Sequence, residues 1–219
     1  KSTLAGIQPF VSPAIWWETA KPFLPAGVPG STRQTNLNGT VNRAVDKNGW
    51  RKGLPPQWYP THATAFYVGV TGQRFTEVSA LGNPSVVPHL QAKNNRYKNP
   101  FGSEVGLFRT TEEGMSRMAV SWDMPSARGE QGRVYGQKDE KSLVPTVRPV
   151  LPPQVRGGSH GGSHGHLTSE FIDAILRDRK PWIDVAQSLN MTVAGIVAHQ
   201  SALRDGELMK IPQYVFEKS

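Results

Sequence analysis

The chain contains no cysteine. That absence removes disulfide frameworks, thiolate zinc sites and cysteine nucleophiles together. It leaves the compartment open, because a thiol-free chain suits bacterial cytoplasm and periplasm alike. No apolar run approaches the roughly 18 residues that mark a membrane-spanning helix, so no transmembrane span is expected. No secretory leader is readable at the start. The first residue is Lys1 rather than Met, which fits a processed or trimmed chain or part of something longer. Acidic residues are the scarcer sign: 17 Asp and Glu face 25 Lys and Arg, a formal net charge of +8. A basic balance favours anionic partners. Here the charge is scattered, with Lys93, Arg96 and Lys98 as its densest cluster and no basic helix face. Neither a nucleic-acid partner nor a membrane is expected.

What is present is 219 residues, enough for one large or two small domains with a buried core. With 22 Gly and 18 Pro, the chain exceeds the average share of about 12%. That favours a loop-rich α+β or β-rich fold over a helical bundle. Residues 1–49 form a Pro-rich extended segment, with prolines at 9, 13, 22, 25 and 29. Phe10, Trp16, Trp17 and Phe23 would tether it to a body that it cannot form alone. Residues 50–219 read as one domain.

Regular pattern begins near Thr61. Residues 63–70 fit a helix or a buried strand alike. Residues 74–80, 105–109 and 116–122 read as strands, joined in the last pair by the polar hairpin Thr110-Thr111-Glu112-Glu113-Gly114. Residues 132–136 form a further short strand. Two helices follow, over 168–179 and 184–204. The first carries an apolar stripe of Phe171, Ile172, Ile175 and Leu176. The second opens with a capping pair, Asp184 and Gln187, and ends before Gly206. Its Val185, Leu189, Val193, Ile196 and Val197 face one side, and Gly195 lets another element approach closely. The pattern implies an α+β fold: an open, mainly antiparallel sheet with helices on one face.

Two segments concentrate chemistry. The loop Gly157-Gly158-Ser159-His160-Gly161-Gly162-Ser163-His164-Gly165-His166 lacks the Gly-x-Gly-x-x-Gly spacing and a Walker lysine, so the chain is not expected to hold a nucleotide by itself. Its three histidines invite a metal. Such a site needs further ligands and rigid support. A polar substrate-lining loop ranks first, a structural turn second and a metal site last. The other segment is Trp58-Tyr59-Pro60-Thr61-His62. A phenol and an imidazole three residues apart reach one cleft if the run from Pro60 is helical. Together they suit proton transfer at a sugar hydroxyl. On the residues alone, a histidine satisfied by a backbone carbonyl ranks slightly ahead of a catalytic one.

Several elements in order carry a resemblance. They are Tyr59-Pro60-Thr61-His62, Val70-Thr71-Gly72, Arg133-Val134-Tyr135-Gly136, His160-Gly161-Gly162, Lys180-Pro181-Trp182-Ile183-Asp184 and Ala194-Gly195-Ile196-Val197-Ala198-His199-Gln200-Ser201. Over about residues 50–213 the chain resembles the C-terminal substrate and oligomerisation domain of Gfo/Idh/MocA oxidoreductases. The branch it most resembles includes the NAD-dependent glycosidases of glycoside hydrolase family 109. The resemblance implies NAD or NADP held mainly by an N-terminal Rossmann domain that is absent here, together with the family's Glu-Lys-Pro lysine. It also implies a carbohydrate substrate and a homo-oligomer. His62 and Tyr59 become the catalytic candidates, with Trp58, Thr61, Arg51, His160 and His164 around the substrate. Trp58 stands where the dehydrogenase pattern has an aspartate, which leans toward the sugar-processing branch. His164 stands near an acidic position of the glycosidases. The alternative is a non-catalytic sugar-binding or oligomerisation module. Such a fragment is not expected to be active alone.

Overall fold

A computed structural model describes residues 52–123, 150–158 and 162–215, and the backbone alone at 10–13, 132–135, 140–142 and five positions of one helix. In chain order the elements are β1 (Phe10–Pro13), α1 (Thr61–Thr71), β2 (Phe75–Pro84), β3 (Phe101–Thr110), β4 (Met115–Ser121), β5 (Gly132–Tyr135), β6 (Glu140–Ser142), α2 (Ser163–Leu176), α3 (Val185–Ala202) and β7 (Met209–Lys210). Apart from 10–13, the expected Pro-rich segment and its tethering aromatics lie outside the described residues.

Alternation along β3 organises the sheet. Glu104, Gly106, Phe108 and Thr110 are buried while Val105, Leu107 and Arg109 are exposed, the period of a strand covered on one face. β3 pairs antiparallel with β2 and β4, and β7 pairs antiparallel with β2. Beyond β4 the order continues through β1, β5 and β6. The β1–β4 pair runs parallel, an addition to the expected antiparallel plan. An irregularity in register between Phe75 and Glu77 makes a bulge. It allows both Phe75 and Val78, three positions apart, to face inward.

The chain divides into two compact units, residues 1–143 with 190–213, and residues 144–189 with 214–219. In the first, α1 supplies Ala63, Tyr67 and Val68, and α3 supplies Met191, Ala194, Val197, Ala198 and Ala202 to the sheet face bearing Phe75, Val78, Ala80, Phe108 and Met118. The expected α+β plan, helices on one face of an antiparallel sheet, is the observed one. A smaller cluster gathers Leu54, Leu90 and Trp122, with Tyr59, Tyr97 and Val87 against it.

Residues 63–70 prove helical. Gly72 stops that helix in the left-handed region (φ +68°) and donates its N–H to the Val68 carbonyl at 2.8 Å. β3 extends beyond the expected 105–109, because consecutive burial of Gly102, Ser103 and Glu104 hides its alternation, and β2 runs on past the expected 80 to Pro84. Part of the expected stripe of α3 holds: Val197 is in the core and Val193 packs against it, whereas Val185 and Leu189 are exposed and the small residues Ala194, Ala198 and Ala202 complete the core face. Small side chains let helix and sheet approach.

In the second unit α2 starts at Ser163, five residues before the expected 168, capped by Gly162 in the left-handed region (φ +96°). Its expected apolar stripe, Phe171, Ile172, Ile175 and Leu176, is exposed; among its residues Gly165 and Ala174 are buried. The Asp184 cap forms as expected. Gln187 N–H donates to Asp184 Oδ1 at 2.8 Å, and Asp184 N–H donates to Gln187 Oε1 at 3.3 Å. Among the described residues no helix is long and apolar enough to cross a membrane.

Candidate functional site

The Trp58–His62 segment is a tight corner. Pro56–Trp58 makes one 3-10 turn, Tyr59 N–H donates to the Pro56 carbonyl at 3.1 Å, and α1 begins at Thr61. Proline at the first turn position is pre-set for this geometry. The corner is held from beneath. Gln57 is fully buried, its N–H donates to Glu104 Oε2 at 2.7 Å, and its side-chain amide reaches the Glu104 and Met118 carbonyls. Gln57 Oε1 is buried and finds no partner among the described residues. On another side lies α3: a Cβ at Gly195 would fall 2.0 Å from the Gln57 carbonyl oxygen. The close approach expected of Gly195 is thus directed at this corner.

Trp58 projects from the corner with 42% of its surface exposed. Its ring meets Tyr97 edge-on at 6.2 Å and His199 edge-on at 5.6 Å. Tyr59 is half-buried, edge-on to Trp122 at 5.9 Å. Its ring therefore helps to pack the smaller cluster. Thr61 is exposed at the first position of α1. His62 is the next residue along the helix, placed there by its backbone. Chain proximity brings Trp58, Tyr59, Thr61 and His62 to one corner. Arg51 and His160 lie outside the described residues. His164 is exposed at the second position of α2, in the second unit.

The described part of the Gly/His loop shows why glycine is needed. Gly165 N–H donates to the Gly157 carbonyl at 2.7 Å, and a Cβ at Gly165 would lie 2.4 Å from the Arg156 carbonyl oxygen. The loop folds onto the first turn of α2, which accounts for Gly157 and Gly165 structurally. Among the described residues no three His, Asp or Glu side chains gather to hold a metal ion.

Sequence reasoning missed the most buried charge near the corner. Glu104 is 0% exposed, and His199 Nδ1 lies 2.5 Å from its Oε1. The signal was available: Glu104 shares the inward parity of Gly106 and Phe108, where an acid needs a partner. Further along the sheet, burial pushes the Asp123 carboxyl up, opposed by hydrogen bonds from the Ser85 hydroxyl and the Val86 N–H. A concavity of about 680 Å³ lies elsewhere, lined by residues including Glu77, Arg109 and Lys210. It contains none of the expected site residues, and an exposed Arg109–Glu77 ion pair occupies its rim.

An antiparallel sheet with two helices on one face, a tight corner entering the first of them, defines a fold shared with solved enzymes. One is scyllo-inositol dehydrogenase from Lactobacillus casei with bound NAD(H) and scyllo-inositol (TM-score 0.55, 14% identity, 94% of this chain and 56% of that one). Another is an oxidoreductase domain protein from Kribbella flavida (TM-score 0.56, 15% identity, 94% and 59%). A third is UDP-N-acetylglucosamine 3-dehydrogenase from Acidithiobacillus ferrooxidans (TM-score 0.54, 10% identity, 90% and 54%). The chain thus spans little more than half the length of these proteins. No family model and no curated protein matches the sequence.

The sequence carries no Gly-x-Gly-x-x-Gly run of the kind that brings backbone N–H groups to a pyrophosphate.

Proposed function

We propose that the chain is the substrate-binding part of an NAD(P)-dependent oxidoreductase acting on a carbohydrate or cyclitol, as the C-terminal domain of a Gfo/Idh/MocA-type enzyme. The supporting observation is the fold shared with scyllo-inositol dehydrogenase over 94% of this chain. The Tyr59-Pro60-Thr61-His62 element falls at the corner into α1. The cofactor belongs to a dinucleotide-binding region outside these residues.

Within this reading His62 moves the proton of a substrate hydroxyl, and Tyr59 positions or assists it. Imidazole titrates near neutrality, so it accepts and returns a proton at working pH. Trp58, Thr61 and Arg51 border the substrate. The exposed indole of Trp58 suits the apolar face of a sugar ring. A second reading, an NAD-dependent glycosidase, draws on Trp58 itself, which occupies the position of an acid in the dehydrogenase pattern.

The test is NADH formation by the intact enzyme with a panel of cyclitols, aldoses and nucleotide sugars, beside release of aryl alcohol from aryl glycosides. Turnover on the first set supports the oxidoreductase and turnover on the second alone supports the glycosidase. Inactivity on both leaves the non-catalytic module. His62→Ala should lower turnover by at least about 100-fold, the lower bound for a positioned acid or base. Its melting temperature should stay near wild type. If His62 merely satisfies a backbone group, the change instead costs stability of about 1 kcal/mol and little turnover. Tyr59→Phe keeps the ring against Trp122, so its effect should fall on turnover rather than stability.

A further inference from the structure

We infer that Glu104 and His199 are positioning residues that hold Trp58 at a fixed place in the proposed substrate site; the inference rests on the reading that this corner faces substrate. One carboxylate ties two elements. Glu104 Oε2 accepts the Gln57 N–H at 2.7 Å, which fixes the residue before Trp58. Its Oε1 lies 2.5 Å from His199 Nδ1 on α3. The imidazole so held stands edge-on to the Trp58 indole at 5.6 Å and edge-on to Phe101 at 6.1 Å. Tyr97 supports the indole from another side.

The arrangement separates a dry support from a wet surface. Glu104 is 0% exposed and His199 5%, whereas Trp58 is 42% exposed. A charge this deep is costly without a partner, and well-packed apolar residues serve a core at least as well. A pair placed under an exposed aromatic ring instead fixes geometry. A rigid indole presents its face to a sugar ring without the ordering cost that a mobile one carries. Helix α3 adds a backbone limit, since at Gly195 there is no room for the corner to retreat.

The experiment uses the 219-residue chain labelled with ¹⁵N, read by the order parameter of the Trp58 indole N–H without ligand. In the wild type it should match rigid backbone, about 0.85, and a value under about 0.6 overturns the inference outright. The double variant Glu104→Met, His199→Leu replaces both partners by apolar groups of similar size. Folding should survive the one buried donor this leaves without its acceptor, the Gln57 N–H. Its Trp58 order should fall under about 0.6 while the indole of Trp122, bonded to the Leu54 carbonyl, keeps its order. Glu104→Gln, which keeps an acceptor for Gln57, should retain the order. Trp58 as rigid in the double variant as in the wild type overturns the inference, and so does a loss in Glu104→Gln as large as in the double variant. A parallel titration of the wild type with the same panel of cyclitols, aldoses and nucleotide sugars follows the same indole signal. No shift there, with Trp58 released by the double variant, leaves the support standing and removes the substrate reading.

Discussion

A methyl group added at Gly195 would fall 2.0 Å from the Gln57 carbonyl oxygen and 2.4 Å from Pro60 Cβ. Neither neighbour is the free end of a flexible side chain, so helix or corner must shift. Overpacking of this kind costs about 1–3 kcal/mol. Gly195→Ala should therefore lower the denaturation midpoint by that amount, and a neutral result in urea titration would contradict the packing described. Gly72 makes the contrast: nothing lies near its missing Cβ, but its φ is +68°. Gly72→Ala should cost only the left-handed backbone penalty, about 1–2 kcal/mol, and Gly72→Asn less. The sequence made Gly195 readable because a lone glycine in a helical pattern has few other uses. Glu104 was harder to read: it shares the parity of Gly106 and Phe108, but Gly102-Ser103-Glu104 looks like loop until strand pairing assigns each residue a face.

At the scale of elements, α2 ends in a charged clamp. Arg179 Nη1 and Nη2 donate to Glu170 Oε1 and Oε2 at 2.8 and 2.7 Å, and Nη2 also reaches Asp173 Oδ2 at 2.7 Å. The Arg179 guanidinium first, and then the Trp182 N–H, hold the Glu170 carboxyl down at about 2. A lowered carboxylate contributes stability that is fully present above its ordinary value of 4.5 and is lost as pH falls through about 2. Carboxyl ¹³C titration should place the Glu170 midpoint in that low range, and Arg179→Met should return it toward 4.5. An unchanged midpoint in the variant would remove the clamp as the cause. At α3, Asp184→Ala should cost about 1 kcal/mol in melting, the usual loss of an N-cap. That cap was readable because its two partners are three residues apart. The start of α2 was not, since Ser163-His164-Gly165-His166 has the composition of the loop before it. What makes it helical is contact with Arg156 and Gly157, which no local pattern carries.

On the whole molecule, the sheet face away from α1 and α3 leaves Leu81, Val105 and Leu107 exposed beside Arg109 and Glu77. We propose that this face pairs with a second copy of the chain, since exposed apolar positions on adjoining strands are what an association surface requires. Sedimentation equilibrium should show concentration-dependent association, abolished by Leu107→Lys with the fold intact; a monomer at all concentrations would reject it. The sheet and its helical layer were readable from periodicity. The division into two units was not, because it depends on contacts between distant parts of the chain. The first unit takes strands from the middle of the chain and α3 from Asn190 onward, near its end. Ser201 Oγ accepts the Ala80 N–H, Ser79 Oγ donates to the Gly206 carbonyl, and Ile211 N–H donates to the Thr76 carbonyl. During synthesis, therefore, α1, β2, β3 and β4 emerge first, and the part of the sheet face that α3 covers stays bare until residues 190–213 have been made. Translation pauses before that point lengthen the wait, and the nascent sheet is then a substrate for chaperones and proteases.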